Sequence, residues 1–282
     1  VNEILSFNYN TKNIFQKFRY YVKRMWTEPE PIYLNKGKTK LKMIKNRYKS
    51  YFKIKKRENF LDSNSIKSIE DKKFFYFPLQ SEPEALVLIK SPFYSDVITL
   101  VENIAKSIPI DYSLYVKEHP VQKIKSWRPI DVYQKIIDMP NVKLIHPSVN
   151  SQELISKSQA VFCVSGATGF EALFHKKPVI LFSNEYYDVH SMIYKVRTFA
   201  ELPNLINHAI QNIKFHNDEL HALIQASNNQ SISIPYFSML NHAITLSSIM
   251  KDGDVDLTMQ NFQKYYDTYK DYFLLIAITI NS

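Results

Sequence analysis

The sequence predicts an α/β chain organised around a doubly wound parallel sheet. Two observations carry this. Short apolar runs alternate with stretches of helical period from Phe74 to Phe182, the pattern of strands buried on both faces and joined by crossover helices. Within Val161–Ser183 the order is apolar run, glycine turn, short helix, apolar run, which is the repeating unit of such a sheet.

Charge sets the first sixty residues apart. The chain carries a formal +9. Sixteen lysines and arginines fall between Lys12 and Arg57, against only Glu3, Glu28, Glu30 and Glu58. Residues 10–26 and 38–58 read as helices parted by Glu28-Pro29-Glu30-Pro31. Aromatics such as Phe15, Trp26, Tyr48 and Phe52 interleave with the bases. Three readings follow: a solvated linker, a helix on an anionic membrane surface (residues 10–58), or a nucleic-acid arm. The last lacks any aromatic–glycine or zinc-ligand pattern, so no nucleic acid is expected. No apolar run approaches the roughly 20 residues of a membrane-spanning helix.

From Phe74 the elements come in order. Phe74–Leu79 is the first strand, ending in the turn Gln80–Glu84. Residues 93–106 place Val97, Leu100, Val101 and Ile104 on one helical face. Tyr112–Lys117 is a strand ending at Glu118-His119-Pro120, and a helix through Val132 and Ile136 leads to the strand Val142–Ile145. Ser151–Ser158 reads as a helix with Ser151 as its N-cap. Val161–Val164 and Pro178–Phe182 are the fourth and fifth strands; beyond them the chain reads as mainly helical to about Met250. The break Lys251–Asp254 precedes a closing aromatic helix. The domain reading is 1–70 basic arm or linker, 71–250 α/β domain and 251–282 C-terminal helix.

In such sheets ligands gather beyond the carboxyl ends of the strands. Three turns fall there: Gln80–Glu84, Lys117–Pro120 and Ser165–Gly169. Two of only four glycines, Gly166 and Gly169, lie in the last, required for positive φ or for a close backbone approach. The turn opens a helix, so Ser165, Gly166, Thr168 and Gly169 form either a phosphate cradle or simply a tight strand–helix junction. His119 can donate to a phosphate with Lys117 nearby as a point charge, or can be a surface or capped histidine. Glu171 can accept a sugar or ribose hydroxyl, or can stabilise its helix N-terminus. Glu82 and Glu84 are carboxylates of the kind glycosyl chemistry uses as acid, base or nucleophile. Asp96 is a further candidate, with helix capping as its alternative. Cys163, the lone cysteine, reads as a buried structural thiol. His119, His146, His175 and His190 have no metal-ligand spacing, so no metal is expected.

The ordered segments YFPLQSEPE (76–84), LYVKEHP (114–120), WRP (127–129) with Tyr133 downstream, PNVKLIHP (140–147) and VSGATGFEALFHKKPVILF (164–182) resemble the bacterial capsule polysaccharide biosynthesis family. That family includes retaining β-Kdo transferases. The resemblance implies a GT-B architecture, of which this chain holds the Rossmann-like C-terminal half. It implies a nucleotide sugar as substrate, CMP-linked with Kdo as first guess, and no separate cofactor. His119 and Ser165–Thr168 would hold the nucleotide, and Glu84 would lie near the sugar. A lipid-linked or glycan acceptor, other capsule assembly proteins and a cytoplasmic site at the inner membrane face are implied partners and location. The alternatives are a CDP-polyol phosphate transferase of the teichoic-acid type and a non-catalytic assembly or export component. Ser126-Trp127 stand where the family pattern leads us to expect a glycine, and Ser183 where it usually has another. Little sheet precedes Phe74, so the acceptor-binding half would be absent from this chain or supplied by a partner.

Overall fold

The computed structural model describes residues 40–70, 73–82, 85–123, 127–231 and 259–281, together with Pro235, Ser238, Met239 and His242. The helix expected over 10–26 and the break at 251–254 lie outside these residues. The chain divides into two compact units, Val1–Phe215 and His216–Ser282.

The first unit holds six parallel strands: β1 (Phe74–Pro78), β2 (Ser113–Lys117), β3 (Val142–Ile145), β4 (Val161–Cys163), β5 (Val179–Leu181) and β6 (Ile193–Lys195). Their order across the sheet is β3-β2-β1-β4-β5-β6, the Rossmann-like arrangement in which the winding reverses between β1 and β4. All five expected strands form. The sixth adds a strand to the mainly helical continuation expected after Phe182. Ile193-Tyr194-Lys195 is a short edge strand, progressively exposed along its length, and three residues are too few to show a strand period.

Alternate residues of the strands face opposite sides. Phe75, Phe77, Leu114, Val116, Phe162, Val164, Ile180 and Phe182 join one large buried cluster. The helices α3 (Val97–Ser107), α4 (Ile130–Ile137) and α7 (Leu202–Gln211) pack on this side. The opposite face carries Phe74 stacked on Tyr115 at 4.2 Å, and is covered by α5 (Ser151–Lys157) and α6 (Ala167–Phe174). Between β1 and α3 lie the short helix α2 (Ala85–Lys90) and a 3-10 turn, Pro92–Tyr94. The predicted helix over 93–106 therefore starts at Val97. The N-cap of α5 is Asn150, whose side chain accepts from the Gln152 N–H at 2.8 Å, rather than Ser151.

The helix expected over 38–58 runs as α1, Lys40–Asn64, and its last turns belong to the domain core. Leu61 is fully buried, Ile54 and Phe60 pack against the main cluster, and Ile66 bridges to Ile145.

One local feature opens the sheet where the winding reverses. The β1–β4 ladder runs through Gln159 N–H to Phe74 O at 2.9 Å and Tyr76 N–H to Ala160 O at 3.1 Å. By the alternation of a strand, the next N–H on this side of β1 would belong to residue 78. That residue is proline and has none to give. The two strands part there.

The second unit contains α8 (Asn217–Gln230) and α9 (Met259–Asn281). Along α9, Tyr266 stacks on Phe273 and Tyr265 meets Tyr269, so the predicted aromatic closing helix is present. Among the described residues no helix is long and apolar enough to cross a membrane.

Candidate functional site

The turns after β1, β2 and β4 meet at the reversal point, and a chain of hydrogen bonds ties them together. Gln80, just past Pro78, donates its side-chain amide to Ser165 O at 2.9 Å, bridging the parted strands. Its own carbonyl accepts from Arg128. Arg128 Nε donates to Glu118 Oε2 at 2.8 Å, and Glu118 Oε1 accepts from the His119 N–H at 2.6 Å. Tyr133 OH completes the Glu118 shell at 2.7 Å, and Arg128 also pairs with Glu82. Gln122 clamps the Glu82 backbone, accepting from its N–H at 3.0 Å and donating to its carbonyl at 3.3 Å.

Glu118 and Arg128 are almost wholly buried. Burial pushes the Glu118 carboxyl above the usual carboxylate range, against the opposing pull of Arg128 and Tyr133. A buried pair of this kind fixes geometry more than it adds stability. Here it sets the spacing of three loops.

The glycine turn has the backbone its sequence demanded. Gly166 sits at φ +96°, where an L side chain is strained. A Cβ on Gly169 would lie 2.6 Å from the Tyr187 hydroxyl, and that hydroxyl donates to Gly166 O at 2.6 Å. One glycine serves a conformation and the other a close approach. Cys163 lies beneath the turn, fully buried, with its thiol pushed up to about 11 by burial.

Two donors of the expected phosphate cradle are already engaged by this chain. Ser165 Oγ donates to Glu185 Oε1 at 2.7 Å and the Gly166 N–H to the same oxygen at 3.2 Å, while Glu185 Oε2 pairs with Lys90 at 3.0 Å. Burial raises the Glu185 carboxyl, but these hydrogen bonds outweigh it and leave the group below its ordinary value. The first-turn N–H groups of Ala167 and Thr168 have no intrahelical acceptor.

The other expected residues are placed as follows. His119 is half-buried, and its Nδ1 accepts from the Val121 N–H at 3.2 Å, which puts the proton of the neutral ring on Nε2. Lys117 turns to the α5 side, donating from Nζ to Ser151 Oγ at 2.6 Å, and burial lowers it to about 8. Glu171 accepts from Gln152 at 2.9 Å. Asp96 caps α3 through Ile98 and Thr99, and the Thr99 hydroxyl holds its carboxyl below the ordinary range. The carboxylate thus serves as a helix cap, and it takes no part in the hydrogen bonds that tie the turns. Glu84 lies outside the described residues.

Gln80 and Glu118 lie in the strand-end turns without being singled out by the sequence, and Glu185 carries no functional reading there. Trp127-Arg128 and Tyr133 were marked only by family resemblance. Trp127 adopts a left-handed backbone, φ 54°, held by its N–H to Gln122 O and by Arg57 to its carbonyl, both at 2.8 Å.

The model of the family described as capsule polysaccharide biosynthesis protein matches residues 2–201. This chain belongs to that family. A search of curated sequences returns no match. Among solved structures, the chain is similar to KpsC, a β-Kdo 2,7 transferase, of Thermosulfurimonas dismutans. Identity is 19% over 64% of this chain and 63% of that one, with a TM-score of 0.37. It is also similar to the UDP-GlcNAc 2-epimerase of Methanocaldococcus jannaschii, at 18% identity over 62% of this chain and 49% of that one, TM-score 0.40. The capsule-family chain thus spans less than two thirds of either relative's length.

Proposed function

We propose that this capsule-family chain is the nucleotide-sugar-binding, C-terminal half of a GT-B glycosyltransferase that builds capsule or surface polysaccharide. The donor in this reading is CMP-linked, with Kdo as the first sugar to test. The observation that carries the reading is the tying of three strand-end turns across the β1/β4 reversal, the place where this sheet class binds nucleotides.

His119 Nε2–H and the Ala167 and Thr168 N–H groups would take the phosphate, stabilising the charge that grows as the sugar leaves. Ser165 and Gly166 would join them once Glu185 yields. Glu84 would act as acid, base or nucleophile, with Glu82, paired to Arg128, holding the turn. The acceptor is a lipid-linked or glycan hydroxyl presented by the remaining half.

Calorimetric titration with CMP, CDP, UDP and GDP tests this. CMP binding that disappears in His119→Ala is the expected result. Binding of no nucleotide, with or without a candidate N-terminal half added, would reject the reading. Turnover of CDP-glycerol rather than CMP-Kdo would replace it with a polyol-phosphate transferase.

A further inference from the structure

A row of aromatic rings runs along the outer side of α6. Phe170 meets Phe174 at 5.1 Å and meets Tyr186, on the loop between β5 and β6, at 5.5 Å. Phe174 is 54% exposed and Tyr186 59%, so these two rings are turned to water. Phe170 also lies 5.9 Å from Tyr187, whose hydroxyl holds Gly166 O. The row therefore starts beside the glycine turn and follows α6 down the flank of the sheet.

Charge on this flank is one-sided. Glu171 accepts from Gln152, Glu185 pairs with Lys90, and Asp188 pairs with Lys195. Lys176, two residues beyond Phe174, stands with its Nζ 5.4 Å from the centre of the Phe215 ring. Lys177 follows it and Lys214 precedes Phe215. Among the described residues none of these three lysines has a carboxylate partner.

A single exposed ring is ordinary, but adjoining rings beside uncompensated cations mark a binding surface. The face of an aromatic ring is electron-rich and attracts the slightly positive C–H face of a sugar ring. Phe170 and Phe174 stand about 6 Å apart along the helix, close to the repeat of one sugar in a chain. We propose that this ledge binds an acidic oligosaccharide, its rings stacked on Phe174 and Tyr186 and its carboxylates met by the lysines beyond Phe174. Charge selects this occupant. A neutral glycan would leave the cations unused, and a second copy of the chain would bring its own lysines against them. Two exposed rings are also far short of the roughly 800 Å² per partner that a stable protein interface buries. The ledge takes no part in the tied turns and needs no nucleotide, so it stands independently of glycosyl transfer.

The probes are short oligomers of sialic acid and, as a neutral control, malto-oligosaccharides of equal length, added to the full chain without nucleotide. Saturation-transfer NMR irradiates the aromatic protons of the protein and reads the C–H signals of the sugar, and its titration gives the affinity. The expected result is binding of the sialic acid oligomers, about tenfold weaker for Phe174→Ala with Tyr186→Ala. Lys176→Glu with Lys214→Glu is expected to weaken it by about fivefold. All four positions are exposed, so an unchanged circular dichroism spectrum and melting midpoint will show that both variants fold. No binding by the wild type, or equal affinity for the neutral oligomers, would overturn the inference. Affinity that survives the ring variant would overturn it too, since the basic arm would then explain binding. A dimer in sedimentation velocity that the ring variant abolishes would overturn it by assigning the ledge to a second copy.

Discussion

Glu185 places one carboxylate oxygen 2.7 Å from Ser165 Oγ and 3.2 Å from the Gly166 N–H, so an internal anion sits on the donors a phosphate would use. On the proposed nucleotide site, Glu185→Ala is therefore expected to raise CMP affinity by about tenfold, equivalent to about 1.4 kcal/mol. Calorimetry reads this directly. A fall in affinity would instead make Glu185 a part of the ligand site.

Breaking the Glu118–Arg128 pair leaves one buried charge without its partner. Arg128→Met is expected to cost about 3–5 kcal/mol, read as a lower urea midpoint. Glu118→Gln, which keeps the shape and an acceptor for Tyr133, is expected to cost less. Equal losses would show that the charge, rather than the shape of the pair, carries the cost.

Gly169→Ala drives a methyl group into Tyr187. The expected cost is about 1–3 kcal/mol, as for overpacking of a tight core, with a thermal melt as the readout. Tyr187→Phe removes the bond to Gly166 O and is expected to cost about 1 kcal/mol.

Asp96→Ala is expected to lose about 1 kcal/mol of stability, as for a helix cap, while the CMP affinity and transferase turnover that the proposed function calls for stay unchanged. A large loss of turnover with intact stability would return Asp96 to the chemistry.

Lys117 is lowered by burial to about 8 from an ordinary 10.5. Between those values the unfolded chain binds more protons than the folded one, so this group makes stability rise with pH across that window. Cys163, raised to about 11 from 9, works the other way between pH 9 and 11. The comparison is thus between wild type and Lys117→Met. The wild type is expected to gain more stability from pH 8 to 10 than the variant, measured by urea unfolding at each pH.

Much of the sheet was legible because parallel strands buried on both faces must be written as apolar runs, as in Phe74–Phe77 and Val161–Val164. Gly166 and Gly169 stood out for a similar reason: scarcity made their positions informative. β6 was illegible because a three-residue edge strand ending in an exposed lysine has no period to read. Asn150 took the cap from Ser151 by one residue, a distinction that depends on where the backbone first turns helical. The linking network was hidden for a different reason. Gln80 meets Ser165 across 85 positions and Arg128 meets Gln80 across 48, and no local pattern marks such partners. Glu185 is twenty residues from Ser165 and reads in isolation as a surface acid.

Pro78 bears on more than the local ladder. By withholding one N–H at the end of β1 it shortens the β1–β4 ladder of an otherwise continuous six-stranded sheet, and Gln80 takes up the link just beyond it. A molecule lodged at that seam would act as a rivet between β1 and β4. The stiffness of the whole sheet, rather than the handful of atoms it touches, would then register its arrival.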